Sequence, residues 1–386
     1  MYYSRRATLR SLVGATLALS FIGCNGSSGE PAQPAADVLK IGAVLPLSGQ
    51  TATYGEETLN GLKMAIEDLE GVEGIHFELV FKDNKGDSTE TAKLATQLIK
   101  IDQVDLLVGA VASTNTLKAA KVAQENGIPL MTPASTNAEI TTKGDFISRV
   151  CFIDPVQGDV LARLASEDLG RTRAVIVIDK ASDYSVGLQR SFTTTFEAAG
   201  GTIAGVESFT AGEADFSALI TKVAEQEPDV IYIPAYYGDV GPMLKQAGDK
   251  WSSIPIVAGD GIDSPDFYPL MGDYSGDIYM SSHFSHEDVD EKVQSFVTRY
   301  RQRFGKTPGA MAALAYDAIA VLHDARRRAG SDEPTAMRDA INSTTGLVGV
   351  TGSITINAER NADKDVVILK LSPAGSTFFK RFEQEG

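Results

Sequence analysis

Short apolar runs and helical segments alternate along the chain, and this alternation limits the fold more than any other feature. Apolar runs at 38–47, 77–81 and 104–108 are typical of strands, and the segments 55–69 and 88–101 between them are typical of helices. The second helix begins with Ser-Thr-Glu-Thr, which can cap its N-terminus. A repeated strand–helix order predicts parallel strands with helices on both faces of the sheet. We therefore predict an α/β fold.

The same pattern starts again after Asp154 and Pro155. Helices are predicted at 156–169, 187–199, 216–225 and 240–247, and strands at 174–178, 203–209, 230–234 and 254–258. Longer helices follow at 287–304, 310–328 and 334–341, with short strands at 353–356 and 366–371. Two successive blocks indicate two similar lobes with parallel sheets, and not one very wide sheet.

Small, hydroxyl-rich turns follow two of the predicted strands. Strand 104–108 leads into the turn 109–112, after which Ser113 opens a helix, and strand 128–132 leads into the turn 133–137. Open α/β sheets bind ligands at the carboxyl ends of their strands, and a helix start favours an anion. We interpret the two turns as a docking point for a small carboxylate. A simple N-cap is the alternative role for Ser113.

The N-terminus has the features of a bacterial export signal. A basic start that includes Arg5 is followed by the apolar run 12–22, which is too short to span a bilayer, and then by Cys24. We predict that residues 1–23 are a signal peptide, that Cys24 becomes the lipidated first residue, and that residues 24–37 form a flexible tether. General secretion and twin-arginine export both remain open.

Charge and cysteine content exclude several classes of protein. The chain has 35 Lys and Arg against 51 Asp and Glu, which argues against nucleic acid or an anionic membrane surface as a partner. Cys24 and Cys151 are its two cysteines. With Cys24 lipidated no internal disulfide is possible, so a hydrophobic core must hold the chain together.

The sequence lacks two common motifs of cofactor binding and catalysis. No G-x-G-x-x-G follows a strand, and no G-x-S-x-G nucleophile elbow occurs. His283 and His286 are close in sequence, but no carboxylate or cysteine completes a metal-binding spacing. We therefore expect no metal, no cofactor and no enzymatic activity.

The order of the segments resembles the leucine/isoleucine/valine-binding protein family, the extracytoplasmic substrate-binding subunits of branched-chain amino acid ABC importers. The resemblance runs from residue 38 to the end of the chain. It is carried by IGAVLPLSG at 41–49, Tyr54-Gly55, residues 109–116, TPAST at 132–136, Asp179-Lys180 with Tyr184, AGEADF at 211–216, and residues 236–241.

The resemblance implies a type 1 periplasmic binding protein: two Rossmann-like lobes joined by a three-segment hinge and closing on the ligand. Lobe 1 would hold residues 38–154 and 285–364, and lobe 2 would hold residues 155–284 and 365–386. It also implies a location in the periplasm or at the cell surface, membrane attachment through lipid alone, and a membrane permease as partner. We expect a monomer.

The positions with which the family binds an amino acid can be matched to this sequence one residue at a time. Ser113 and Thr136 match positions that hold the α-carboxylate and help to hold the ammonium group. Ala134 matches a position whose backbone carbonyl accepts from the ammonium group, and Tyr236 matches an aromatic residue that covers the ligand. Asp260, in Gly-Asp-Gly, matches the acidic partner of the ammonium group, where the family often has Glu.

The family's side-chain pocket matches Tyr54, Val111, Ala112, Tyr184 and Met311. Since none of these residues is charged, the pocket suits an aliphatic or aromatic side chain. The sequence alone does not rank leucine, isoleucine, valine and phenylalanine. A sensor, or a binding protein of the same fold for an amide, urea or an aromatic acid, is the alternative function.

Overall fold

The computed structural model describes residues 37–383. The predicted signal peptide, Cys24 and all of the predicted tether except Asp37 lie outside the described residues. Within them, no helix combines the length and the apolar character that a membrane span requires.

The first part of the chain builds a five-stranded sheet. Its elements are β1 (Asp37–Leu45), α1 (Ala52–Leu69), β2 (Ile75–Asp83), α2 (Ser88–Lys100), β3 (Leu106–Gly109), α3 (Ser113–Asn126), β4 (Leu130–Thr132) and β5 (Ile147–Arg149). The strands lie in the order β2-β1-β3-β4-β5, and all neighbours are parallel. Every residue of β3 and β4 is buried, as expected for strands covered by helices on both faces.

The next part contributes most of a second, seven-stranded sheet. Its elements are α4 (Asp154–Arg163), β6 (Arg173–Asp179), α5 (Asp183–Ala198), β7 (Thr202–Phe209), α6 (Ser217–Ala224), β8 (Val230–Ile233), α7 (Tyr237–Ala247), β9 (Ile256–Ala258), α8 (Phe267–Met271) and β10 (Ile278–Ser282). Strands β7, β6, β8, β9 and β10 are neighbours in that order and parallel.

The last part adds helices to the first sheet and an antiparallel hairpin to the second. Its elements are α9 (Glu291–Phe304), α10 (Ala310–Ala329), α11 (Pro334–Asn342), β11 (Leu347–Gly349), β12 (Gly352–Ile356), β13 (Ala362–Asp363), β14 (Val366–Ser372) and β15 (Gly375–Phe382). Helix α10 packs on α1, whereas β14 pairs antiparallel with β10 and with β15. The second sheet therefore has five parallel strands, as predicted for this lobe, with an antiparallel hairpin at one edge.

The chain passes between the two sheets at three places: residues 150–153, 283–290 and 364–365, called here the first, second and third passage. Below, lobe 1 means the five-stranded sheet with α1–α3 and α9–α11, and lobe 2 means the seven-stranded sheet with α4–α8. The division of the chain at 154/155, 284/285 and 364/365 stays a prediction.

One local prediction was wrong. Helix α2 is capped by Asp87, whose Oδ1 atom accepts a hydrogen bond from the backbone N–H of Glu90 at 2.6 Å, and not by the Ser-Thr-Glu-Thr run that follows. An aspartate is as good an N-cap as a serine, and its charge also favours the positive helix end. The predicted helix therefore begins where expected, with a different capping residue.

Candidate functional site

The turns that follow β3 and β4 are joined by a chain of hydrogen bonds. The backbone N–H of Ala110 donates to Thr116 Oγ1 at 2.8 Å, and Thr116 Oγ1 lies 2.6 Å from Ser135 Oγ. The Ser135 hydroxyl in turn donates to the backbone carbonyl of Val111 at 2.6 Å. The two hydroxyl-rich turns therefore form one fixed edge at the carboxyl ends of neighbouring strands, where ligands bind in such sheets.

A buried arginine holds the second of these turns. Arg149, at the end of β5, is fully buried and donates to the backbone carbonyls of Ser135 at 2.7 Å and Asn137 at 2.8 Å. These charge-assisted bonds fix the turn that carries Ala134 and Thr136. Sequence reasoning missed this role, because an isolated arginine gives no periodic signal.

Ser113 is the first residue of α3 and not its N-cap. Ala112 occupies the N-cap position, and no side chain caps the helix. The Ser113 hydroxyl instead accepts a hydrogen bond from the backbone N–H of Asn137 at 3.3 Å, so it faces the second turn. No side chain caps α3, and the backbone N–H of Ser113 faces the Tyr236 hydroxyl. The backbone N–H groups of a helix start suit an anionic group of a ligand.

Val111 has a strained backbone. Its φ angle is 74°, in the left-handed region that β-branched residues rarely adopt, and its side chain is buried. Strain of this kind persists only where the surroundings enforce it, and it concentrates at ligand sites.

Asp260 lies in a buried turn directly after β9. Its Oδ1 atom accepts from the Tyr184 hydroxyl at 2.9 Å, and its Oδ2 atom lies 3.1 Å from Nε2 of His283. Its backbone N–H donates to Oε1 of Gln157 at 2.9 Å. The Tyr184 hydroxyl also accepts from the backbone N–H of the next residue, Gly261, at 2.8 Å. Four hydrogen-bonding contacts, from lobe 2 and the second passage, therefore hold Asp260 and Gly261 in place.

The glycines on both sides of Asp260 are required by close packing. A Cβ atom at position 259 would lie 2.3 Å from the Tyr184 hydroxyl oxygen, and one at position 261 would lie 2.6 Å from the carbonyl oxygen of Ala235. Neither position could therefore carry a side chain without displacing its neighbours. The Gly-Asp-Gly run places the carboxylate against the tyrosine.

Three tyrosines close the site from both lobes. Tyr54, from α1 in lobe 1, donates its hydroxyl to the backbone carbonyl of Gly261 in lobe 2. The rings of Tyr184 and Tyr236 stack with their centroids 5.1 Å apart, and Tyr54 meets Tyr236 edge-on at 6.2 Å. Burial, with Asp260 nearby, raises the pKa of all three phenols well above the usual range, so they are neutral.

The predicted site residues surround one very small, nearly closed cavity of about 10 Å³ between the lobes. It is lined by Tyr54, Val111, Ser113, Ala134, Thr136, Tyr184, Tyr236, Asp260, Gly261 and Met311. Nine of the ten ligand-binding residues predicted from the sequence therefore line this cavity, and Gly261 is the one lining residue that was not predicted. The tenth residue, Ala112, lines a neighbouring groove, and Tyr236 lines that groove as well.

The charge of the lining is negative. Among these lining residues Asp260 bears the one carboxylate, and none of them is Lys, Arg or His. Behind Thr136 lies Asp154, and burial raises the pKa of this carboxyl to about 8, with Asp260 contributing to the rise. A ligand entering the cavity therefore meets one carboxylate beside neutral hydroxyl groups.

The structure separates the two histidines that are close in sequence. His283 contacts Asp260, whereas His286 lies in another pocket beside Glu57 and Asp263. Among the residues that the structure describes, no group of three or more His, Cys, Asp or Glu could hold a metal ion. His283 and Gln157, which support Asp260, were not identified as site residues from the sequence.

Comparison with known proteins assigns the chain to a family. Residues 38–376 match the model of the periplasmic binding protein family. The chain belongs to that family. It is therefore an extracytoplasmic solute-binding protein of the ABC transporter type, homologous to branched-chain amino acid binders, and its homologues are transport proteins and not enzymes.

Individual relatives of this binding protein are similar over most of their length. A leucine binding protein, LivK, from Thermotoga maritima is 35% identical with a TM-score of 0.85, covering 89% of this chain and 99% of the other. LivJ from Streptococcus pneumoniae, solved with isoleucine, is 31% identical with a TM-score of 0.82, covering 88% and 97%. The Leu/Ile/Val-binding protein BraC3 of Rhizobium johnstonii is 28% identical, covering 82% and 89%.

Other members of the same fold were solved with different ligands. A solute binding protein from Rhodopseudomonas palustris BisB5, in complex with 3,4-dihydroxybenzoic acid, is 22% identical with a TM-score of 0.81, covering 90% of this chain and 98% of the other. At this identity the similarity shows the fold alone.

Proposed function

We propose that the protein binds an α-amino acid with an aliphatic side chain, best a branched-chain one, between its two closing lobes. The observation that carries this proposal is Asp260, a buried carboxylate that lines a cavity with no cationic side chain. A buried carboxylate needs a partner, and the ammonium group of an amino acid supplies charge and N–H donors together.

The opposite wall suits the other end of an amino acid. Ser113 and Thr136 bring hydroxyl groups, and the uncapped start of α3 brings backbone N–H groups, to the part of the cavity formed by lobe 1. Donors of this kind bind a carboxylate. Val111 and Met311 add apolar surface for a side chain.

A second candidate is a ligand without an ammonium group. The Rhodopseudomonas palustris protein solved with an aromatic acid makes such a ligand worth testing. In this chain, however, an aromatic acid would bring a second carboxylate into a cavity lined by Asp260, which is electrostatically unfavourable. An amide or urea can donate N–H groups to Asp260 and is therefore the better form of this alternative.

We further propose that the protein delivers its ligand to a membrane permease of an ABC importer, and that it is a monomer tethered through lipidated Cys24 after removal of residues 1–23. The family membership and the basic, apolar start of the sequence support this arrangement. Transfer of the ligand to a sensor is the alternative use of the same fold.

The ligand is tested by a thermal-shift screen of amino acids, amides, urea and aromatic acids, followed by calorimetry on Asp260→Asn. The substitution keeps the shape and removes the charge, so affinity for the best amino acid should fall by about 2–5 kcal/mol, the range for truncating one partner of a buried charge pair. Asp273→Asn, at an exposed aspartate of the same lobe, is the control. Affinity within a few-fold of wild type in Asp260→Asn would contradict the role of this residue.

The tether is tested by metabolic labelling with a fatty-acid analogue. The wild-type protein should carry the label, Cys24→Ser should lose it, and Cys151→Ser should keep it, because Cys151 is fully buried in the folded chain. A wild-type protein that stays unlabelled and retains residues 1–23 would contradict lipidation.

A further inference from the structure

His283 connects the Asp260 carboxylate to two of the three passages between the lobes. It is the first residue of the second passage, and its ring is fully buried. The ring stacks on Phe152 of the first passage, with centroids 3.6 Å apart and planes inclined by 23°. Its Nε2 atom lies 3.1 Å from Oδ2 of Asp260. One side chain therefore contacts the charged group of the cavity and both of these passages.

The surroundings of His283 define its protonation and its tautomer. Burial lowers its pKa from the ordinary value; hydrogen bonding and charge from Asp260 oppose this shift, and the nearby Lys364 of the third passage adds to it. The ring is therefore neutral at neutral pH and has a single N–H group. Because Oδ2 of Asp260 can only accept, that hydrogen must be on Nε2.

The other ring nitrogen is left without a partner. Nδ1 of His283 is buried and forms no hydrogen bond with any described residue. A buried polar atom without a partner is unfavourable, and such exceptions in native proteins need an explanation. A side chain with the volume of an apolar ring would avoid this penalty while still stacking on Phe152. Such a replacement would, however, lose the N–H group that His283 directs at Asp260.

We propose that His283 is a positioning residue for ligand binding. Its Nε2–H group and the Tyr184 hydroxyl hold one carboxylate oxygen of Asp260 each, so that the remaining lone pairs stay available to the cavity. Through Phe152 and the second passage, recognition of the ligand's positive charge is linked to the segments that bend when the lobes close. This inference rests on the proposed role of Asp260 in binding an amino acid.

The test is a double-mutant cycle with L-leucine as the probe, measured by calorimetry. His283→Phe retains a ring to stack on Phe152 and removes the N–H group, so leucine affinity should fall about tenfold to a hundredfold, the range for a hydrogen bond to a charged group. His283→Asn keeps an N–H donor and should recover part of that loss. In the Asp260→Asn background, His283→Phe should change affinity less than twofold, because no charge remains to be positioned.

Two outcomes would overturn the inference: leucine affinity unchanged in His283→Phe, or the same loss with and without the Asp260 charge, which would indicate a merely structural role. A second measurement does not depend on any variant folding. Nitrogen-15 NMR of the wild-type protein should show the hydrogen on Nε2 of His283, and a hydrogen on Nδ1 would also refute the inference. A wild-type protein that binds no amino acid would instead refute the proposed function, and the inference with it.

Discussion

Glu57 is a carboxylate buried between the lobes, in a pocket separate from the ligand cavity. It belongs to α1, is 5% exposed, and accepts from the backbone N–H of Gly309 at 3.2 Å, while its Oε2 atom has no partner among residues 37–383. Burial first, and Asp263 of lobe 2 second, raise its pKa from 4.5 to about 8. The neighbouring Lys306 lowers the pKa, but its ion pair is with Glu56.

This raised pKa predicts that Glu57→Gln stabilises the protein at neutral pH. The folded state holds a proton on Glu57 that the unfolded state releases above pH 4.5, so stability is fully present below pH 4.5 and is lost as the pH rises towards 8. A pH of 7 is about 2.5 units above the ordinary pKa of 4.5, and each unit lowers the unfolding free energy by ~1.36 kcal/mol. At pH 7 the wild-type protein has therefore lost about 3 kcal/mol of stability. Glutamine keeps the shape and has no proton to lose, so this penalty should disappear.

Urea denaturation of the chain without residues 1–35, between pH 4.5 and 8.5, measures the effect. Glu57→Gln should match wild type at the acid end and exceed its unfolding free energy by about 3 kcal/mol at pH 7. Glu56→Gln is the matched control: it removes an adjacent exposed carboxylate and should change stability by no more than about 0.5 kcal/mol. A Glu57→Gln protein with the same stability and pH dependence as wild type would refute the reasoning.

Three further predictions concern the cavity, the thiol and closure. Gly261→Ala should weaken ligand binding by about 1–3 kcal/mol in calorimetry, because the new methyl group would lie 2.6 Å from the carbonyl oxygen of Ala235. Burial raises the pKa of Cys151 to about 12, so mass spectrometry should detect no alkylation of the native protein at pH 8 and full alkylation after unfolding. Solution scattering should show a smaller radius of gyration with saturating ligand, and an unchanged radius would argue against closure of the lobes.

Much of the fold could be predicted because its parallel strands are buried on both faces. Strands β3, β8 and β9 consist entirely of buried residues, and they are recognisable in the sequence as short apolar runs between helices. The family resemblance then supplied the order of lobes that local patterns cannot give. The comparisons support that resemblance.

The strands that the sequence did not predict depend on distant partners. Strand β5 has three residues, Ile-Ser-Arg, and β10 ends in two serines that are buried only because β9 and β14 lie on either side. Strand β15 is partly exposed, shows no regular alternation, and is held as the edge of a hairpin with β14. Their pairing is a property of the assembled sheet, which local patterns do not encode.

The supporting residues of the site were missed for a related reason. His283 is 23 positions from Asp260 in the sequence, and Gln157 is 103 positions from it. A single polar residue has no periodicity. Its partner becomes known only when the segments that follow β9 and β10 meet helix α4 in the folded chain. The residues that line the cavity could be chosen from the resemblance, whereas the residues that orient Asp260 required the structure.

The buried carboxylates between the lobes are treated in two different ways. Glu57 has a single backbone donor and an unpartnered oxygen, and burial raises its pKa to about 8, as it does for Asp154. Protons can therefore neutralise both groups when the lobes close. Asp260 instead receives a hydrogen bond on each oxygen, from Tyr184 and His283. These two donors hold the Asp260 carboxylate at the cavity, so the ammonium group of the proposed amino-acid ligand would meet one carboxylate there.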